Sequence, residues 1–117
     1  MIGSSAKIKE GDKLTLFDLL HGIIIPSGND ASHLLAYHFG NIIFKSKEQN
    51  RHKVCSSPVD YFLQEGNRLL KEQLGLDKNT YFASPHGLSN NLNKTTCFDM
   101  GVITINCFKI ELIRQAF

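Results

Sequence analysis

The stretch Pro26-Ser27-Gly28-Asn29-Asp30 stands between two apolar runs of helical period, and one continuous helix cannot pass through it. Proline disfavours the α conformation in the residue before it, here Ile25, while Gly, Asn and Asp favour turns and caps. The chain must therefore make a corner. Upstream, Leu16, Leu20 and Ile23 fall at i, i+4 and i+7, with Leu19 and Ile24 widening the stripe. That spacing predicts a helix over 16–25 with one buried face, opened by the capping pattern Thr15-Leu16-Phe17-Asp18. Downstream, Ala31, Leu34, Leu35 and Phe39 predict an inward face for a second helix over 30–39, with Gly40 as its stop. A hydroxyl and a carboxamide, Ser27 and Asn29, thus sit at a helix–helix junction.

Beyond Gly40 the periodicity fails. Residues 41–57 hold Lys45, Lys47, Arg51 and Lys53 with little apolar order, which predicts a basic, solvated surface loop in preference to a nucleic-acid or lipid contact. Ser57-Pro58 then reads as an N-cap followed by proline in the first turn, and Gly75 as a C-terminal stop. Between them Val59, Phe62, Leu63, Leu70 and Leu74 mark the inward face of a third helix over 58–74. A short extended segment, Asn79-Thr80-Tyr81-Phe82-Ala83-Ser84-Pro85-His86-Gly87-Leu88, follows, with Pro85 and Gly87 shaping a turn. Thr96-Cys97-Phe98-Asp99 is a second T-x-x-D cap, opening a last helical region through Met100 and Ile103 toward Phe117. The pattern predicts a mostly α chain: four helices, a short extended segment and few strands.

Composition narrows the function classes. With 117 residues and 42% hydrophobic content the chain suits one modest domain, and a net charge of +2 provides no global field toward nucleic acid or an anionic membrane. No apolar run approaches the roughly 20 residues of a membrane span, and the first residues lack the apolar centre of a signal peptide. Cys97 and Cys107, on one expected helix, would lie about 15 Å apart and could not bridge. Together with Cys55 they read as free thiols, which suit a reducing compartment better than an oxidising one. His33 and His38 diverge on a helix and make no metal pair, so neither metal nor cofactor is expected.

Read in order, these pieces resemble the serine D-alanyl-D-alanine carboxypeptidases, the low-molecular-weight penicillin-binding proteins. The resemblance covers nearly the whole chain. Ser27-Gly28-Asn29 is similar to that family's second signature, Ser-x-Asn. Leu74-Gly75-Leu76 resembles the end of a family helix, Thr80 to Leu88 its Thr-x-Phe-x-x-x-His-Gly-Leu segment, and Thr96 to Met100 its Asp-Met helix start. The resemblance implies a helical lobe of a β-lactamase/penicillin-binding-protein-like α/β domain, here ending before the strand that carries K-T-G. Residues 1–117 would then be part of a carboxypeptidase-like domain.

The implied chemistry is hydrolysis of a C-terminal D-alanine through an acyl-enzyme, with a peptide ending in D-Ala-D-Ala as partner. A serine hydroxyl is a weak nucleophile until a lysine activates it, and the departing amine needs a proton. The resemblance assigns Ser27 to that proton relay. Asn29 would offer its amide oxygen to the lysine and its NH₂ to a substrate carbonyl. Gly28 is expected to bend the loop so that both side chains face one cleft. His86 either lines the substrate cleft or fixes its turn through backbone hydrogen bonds, and Asp30 and Asp99 read as helix-start charges.

Two formal matches fall outside the family's register. Ser4-Ser5-Ala6-Lys7 fits S-x-x-K but lies in the lead-in, and Lys94-Thr95-Thr96 lacks the glycine of K-T-G. The expectation is therefore a segment that carries the second motif and is inactive by itself. The alternative is a non-catalytic homologue serving as a helical binding or structural module. The family is usually exported, while the chain indicates neither a compartment nor an oligomeric state. Asn93-Lys94-Thr95 is a glycosylation sequon, relevant only along a secretory route.

Overall fold

Thr15 accepts the Asp18 amide at 3.1 Å while the Asp18 carboxylate accepts the Thr15 amide at 2.8 Å, so the first helix opens on a closed capping box. In the computed structural model, which describes residues 2–47 and 57–117, this helix is α1, Leu16–Ile24. It is followed by α2 (Asn29–Lys47), α3 (Pro58–Leu74), α4 (Cys97–Cys107) and α5 (Glu111–Ala116). Among the described residues the only β pairing is a single antiparallel bridge between Tyr81 and Lys94. The chain is mostly helical, as its periodicity requires.

The other caps follow the same local logic. Ser57 accepts the Asp60 amide at 3.2 Å with Pro58 opening α3, and Thr96 accepts the Asp99 amide at 3.1 Å at the start of α4. Gly75 takes a left-handed φ of 68°, which turns its own N–H to the Lys71 carbonyl and that of Leu76 to the Leu70 carbonyl, each at 3.0 Å. Only glycine adopts that conformation without Cβ strain.

Gly40 is not a stop. The second helix runs on to Lys47, because Gly40 marks the place where α2 approaches α3. A Cβ there would run into the carbonyl of Pro58, so glycine lets the two backbones meet. One turn later the rings of Phe44 and Tyr61 pack edge to face at 5.2 Å. The expected loop over 41–57 is therefore helix through Lys47. Residues 48–56, with Arg51, Lys53 and Cys55, lie outside the described residues. The last helical region is likewise divided. Amides of Phe108, Lys109 and Ile110 close short turns onto Thr104, Asn106 and Cys107. The chain then reverses so that α5 lies against α1.

The largest helix contact is α2 on α3, with α1 packed on α2 and α5. Among the described residues, Leu19, Ala31, Ala36, Leu76 and Ala116 are the buried hydrophobic ones. Leu20, Ile23, Leu35, Phe62 and Leu70, expected in the core, are only half-buried. The reason is architectural: α2 meets α1 and α3, and α1 meets α2 and α5, but these few helix contacts cover an apolar stripe along only part of its width. Around α4 the pattern is strongest, with Phe98 76% and Ile105 64% exposed.

Segment 76–96 is held by side chains. Asn67 on α3 grips the backbone of Phe82 from both sides, donating to its carbonyl at 2.8 Å and accepting its amide at 2.9 Å. Asn93 accepts the Ala83 amide at 2.6 Å and donates to the Ser84 hydroxyl at 3.0 Å. The sequon asparagine thus pins this segment to itself.

Candidate functional site

The corner between α1 and α2 is built from close backbone contacts. Ile25 N–H closes onto the His21 carbonyl and Gly28 N–H onto the Gly22 carbonyl, both at 3.0 Å. A Cβ on Gly28 would lie 2.5 Å from that Gly22 carbonyl and 3.0 Å from Ala6, so glycine is needed for close approach. Gly28 thus permits the tight corner through its missing Cβ and not through a left-handed backbone. The left-handed residue is Ser27, with φ 53°. A non-glycine residue costs energy in that region, and no glycine relieves the strain at this position. The Ser27 side chain is exposed, and its hydroxyl stands free of hydrogen bonds among the described residues.

Asn29 is buried where Ser27 is exposed. It is 5% exposed, and its Nδ2 donates to the Ile2 carbonyl at 2.8 Å while its backbone N–H meets the Ser4 carbonyl at 2.9 Å. A carbonyl only accepts, so the bonded atom must be the nitrogen and the amide orientation is unambiguous. Gly3, with φ 96°, lies against the same carboxamide, where a Cβ would collide with Nδ2.

Asp30 is the residue that sequence reading undervalued. Its carboxylate accepts from Ser5 Oγ and Ala6 N at 2.8 Å, Ile8 N at 3.1 Å and Ala31 N at 3.0 Å. Partial desolvation pushes this carboxyl up, but the Ala6, Ser5, Ile8 and Ala31 donors outweigh it and hold it at about 2. Little local signals this, since the partners other than Ala31 lie 22 to 25 residues away. The same contacts keep Ser4 to Lys7 off any helix, with Lys7 at φ 60°. S-x-x-K chemistry needs one helical turn to bring serine and lysine together, and these residues lack it.

His86 is half-buried and accepts the Leu88 amide on Nδ1 at 3.3 Å, while its carbonyl accepts from Ser84 Oγ at 3.0 Å. These bonds hold its turn. Asp99 is buried and accepts from Thr80 Oγ1 at 2.5 Å. A cavity of about 300 Å³ opens between α3 and residues 82–85, walled by Phe62, Leu63, Leu70, Phe82, Ser84 and Pro85. Ser27, Asn29 and His86 do not line it. Among the described residues no group of three or more His, Cys, Asp or Glu forms a metal-ligand set, and no helix is long and apolar enough to cross a membrane.

No family model matches the chain. Over 115 residues it is 34% identical to the D-alanyl-D-alanine carboxypeptidase DacF of Bacillus subtilis, which covers 98% of this chain and 25% of that protein. A D-alanyl-D-alanine carboxypeptidase of a Streptomyces species is 37% identical over 111 residues, covering 95% of this chain and 34% of its own length. The DacA carboxypeptidase of Haemophilus influenzae is 33% identical over 91 residues, 78% of this chain and 19% of that protein. Among solved structures, a cysteine-to-alanine variant of a Streptomyces DD-transpeptidase superposes with a TM-score of 0.77 at 31% identity, over 97% of this chain and 39% of that one. The chain thus spans well under half the length of each of these relatives.

Proposed function

This chain is homologous to one segment of the D-alanyl-D-alanine carboxypeptidases, and from that premise we propose that it forms the helical lobe carrying the second catalytic motif of a serine-type D-Ala-D-Ala peptidase. One observation supports this above the rest. The chain holds a serine in left-handed backbone, φ 53°, where glycine would sit without strain, and leaves its hydroxyl exposed at a helix–helix corner. Strain kept at a polar residue is the mark of a side chain retained for its chemistry.

In the proposed reaction a serine outside this segment's second motif attacks the carbonyl of the penultimate D-alanine. The C–N bond to the last D-alanine breaks, an ester forms on the serine, and water then hydrolyses the ester. The departing amine must gain a proton as that bond breaks. Ser27 passes it from a lysine, accepting on one lone pair while donating its own hydrogen. Asn29 accepts from the lysine ammonium and so fixes the lysine's position. By itself the chain is inactive, because relay groups have no acyl-enzyme to serve.

The test is an exchange of segments. The matching part of the Streptomyces DD-transpeptidase is replaced by this chain, and both penicillin acylation and turnover are measured. Ser27→Ala should reduce turnover by about 10²–10⁴-fold, the usual worth of a proton-transfer group. A folded, active chimera indifferent to both Ser27→Ala and Asn29→Ala overturns the assignment. The bare chain, incubated with penicillin and weighed by mass spectrometry, should carry no adduct. An adduct on Ser4 would instead make Ser4-Ser5-Ala6-Lys7 the first motif.

A further inference from the structure

Asn29 and Asp30 are neighbours in sequence, and both bind the same remote stretch of chain. Asn29 takes the carbonyls of Ile2 and Ser4, through its side chain and its backbone respectively. Asp30 takes the Ser5 hydroxyl and the amides of Ala6 and Ile8. The left-handed turn at Lys7 lets two alternate amides reach one carboxylate, and the Lys7 amide itself caps onto Ser5 Oγ at 2.9 Å. Residues 2–8 are thereby laid across the start of α2, against the Ser27–Asn29 corner. They also pack into it, because Ala6 lies against both Gly22 and Gly28.

The Asn29 carboxamide could turn either end outward if nothing held it. Its nitrogen is instead committed to the Ile2 carbonyl. Besides that bond and the one from the Asn29 amide to the Ser4 carbonyl, residues 2–8 are fastened to the start of α2 by the set of charge-assisted bonds at Asp30. We infer that Asp30 is a positioning residue of the corner: by fastening Ser5, Ala6 and Ile8 it holds the Ile2 carbonyl against Asn29 and so determines that the carboxamide presents its oxygen. The consequence rests on the proposed function, in which an outward oxygen suits a lysine ammonium and an outward NH₂ does not.

Side-chain amide hydrogen exchange in the isotope-labelled full chain reads this directly. The Asn29 Nδ2 hydrogens should be protected in the wild type. In Asp30→Ala they should exchange about tenfold faster, the equilibrium worth of one hydrogen bond to a charged group. The Ala6 and Ile8 amides should lose protection with them, while the Phe82 amide, held by Asn67, should not change. Asp30→Asn retains one accepting oxygen and should restore part of the protection. Gly3→Ala, which drives a methyl into Nδ2, should free Asn29 while Ala6 and Ile8 stay protected. Unchanged Asn29 exchange in Asp30→Ala overturns the inference. Should that variant fail to fold, Ser5→Ala takes its place, and an Asn29 signal insensitive to it is equally fatal. Penicillin chemistry plays no part in this readout, so the positioning role and the proposed function can fail separately.

Discussion

Thr80 donates its hydroxyl hydrogen to Oδ2 of Asp99 at 2.5 Å, and both residues are buried. A second hydroxyl, Thr95 Oγ1, lies 3.0 Å from that of Thr80. The pair ties segment 76–96 to the first turn of α4, so a buried carboxylate finds its partner on a different element. Thr80→Ala leaves that carboxylate without its donor, and the chain should lose about 1–3 kcal/mol of stability. Urea unfolding should show a lower midpoint with an unchanged slope. A midpoint that stays put would mean water replaces the threonine.

Two glycines inside helices should respond to alanine with opposite signs. Gly66, in α3, has open space where a Cβ would stand, so Gly66→Ala should stabilise by about 0.5–1 kcal/mol through backbone entropy alone. Gly40→Ala gains the same propensity but meets the Pro58 carbonyl, a backbone atom that cannot rotate away. Overpacking of this kind costs about 1–3 kcal/mol, which exceeds the gain. Thermal melts of the two variants should move apart. Equal shifts would show that α2 and α3 slide freely past one another.

Ser27→Gly should make the chain more stable. The substitution relieves a left-handed backbone at φ 53°, and the net gain after the greater freedom of unfolded glycine is about 0.5–1 kcal/mol. Ser27→Val should do the reverse, since a β-branched residue tolerates that region least. Denaturant midpoints in the order Gly, Ser, Val are expected. A glycine variant less stable than the wild type would show that the serine side chain stabilises the corner.

Acid should weaken the attachment of residues 2–8. The Asp30 carboxyl is held at about 2, below its ordinary 3.8, so the folded chain keeps its charged form more readily than the unfolded chain does. Its contribution is complete above roughly pH 4 and is lost as the pH falls toward about 2. Asp30→Asn should therefore melt earlier than the wild type near neutrality, with the gap closing through that window. Melting curves recorded across it provide the check. A gap independent of pH would mean the charge on Asp30 contributes nothing.

Caps were the most legible part of the molecule. Thr15 with Asp18, Ser57 with Asp60 and Thr96 with Asp99 are interactions across three residues, and the helices begin where those patterns stand. Pro26 broke the first helix before Ser27, and Gly75 ended the third, because backbone sterics act within one or two residues. The order of motifs, read without any geometry, also pointed to the relatives that the whole chain matches.

Tertiary contacts decided the rest. Gly40 reads as a stop in sequence and proves to be the seat of a helix crossing, because its meaning depends on Pro58, a residue from another helix. Leu35 and Phe62 have core-like spacing yet remain half-buried, since periodicity states which face is apolar and never whether anything covers it. Asn29 and Asp30 carry the same two side chains in any turn. Their partners, Ile2 through Ile8, are brought to them only when the chain has folded back across more than 20 residues, and no local pattern encodes that return. Local sterics and capping acted within a few residues and were readable from sequence. The orientation of the carboxamide, the length of α2 and the extent of burial depended on remote chain, and only the folded molecule supplies it.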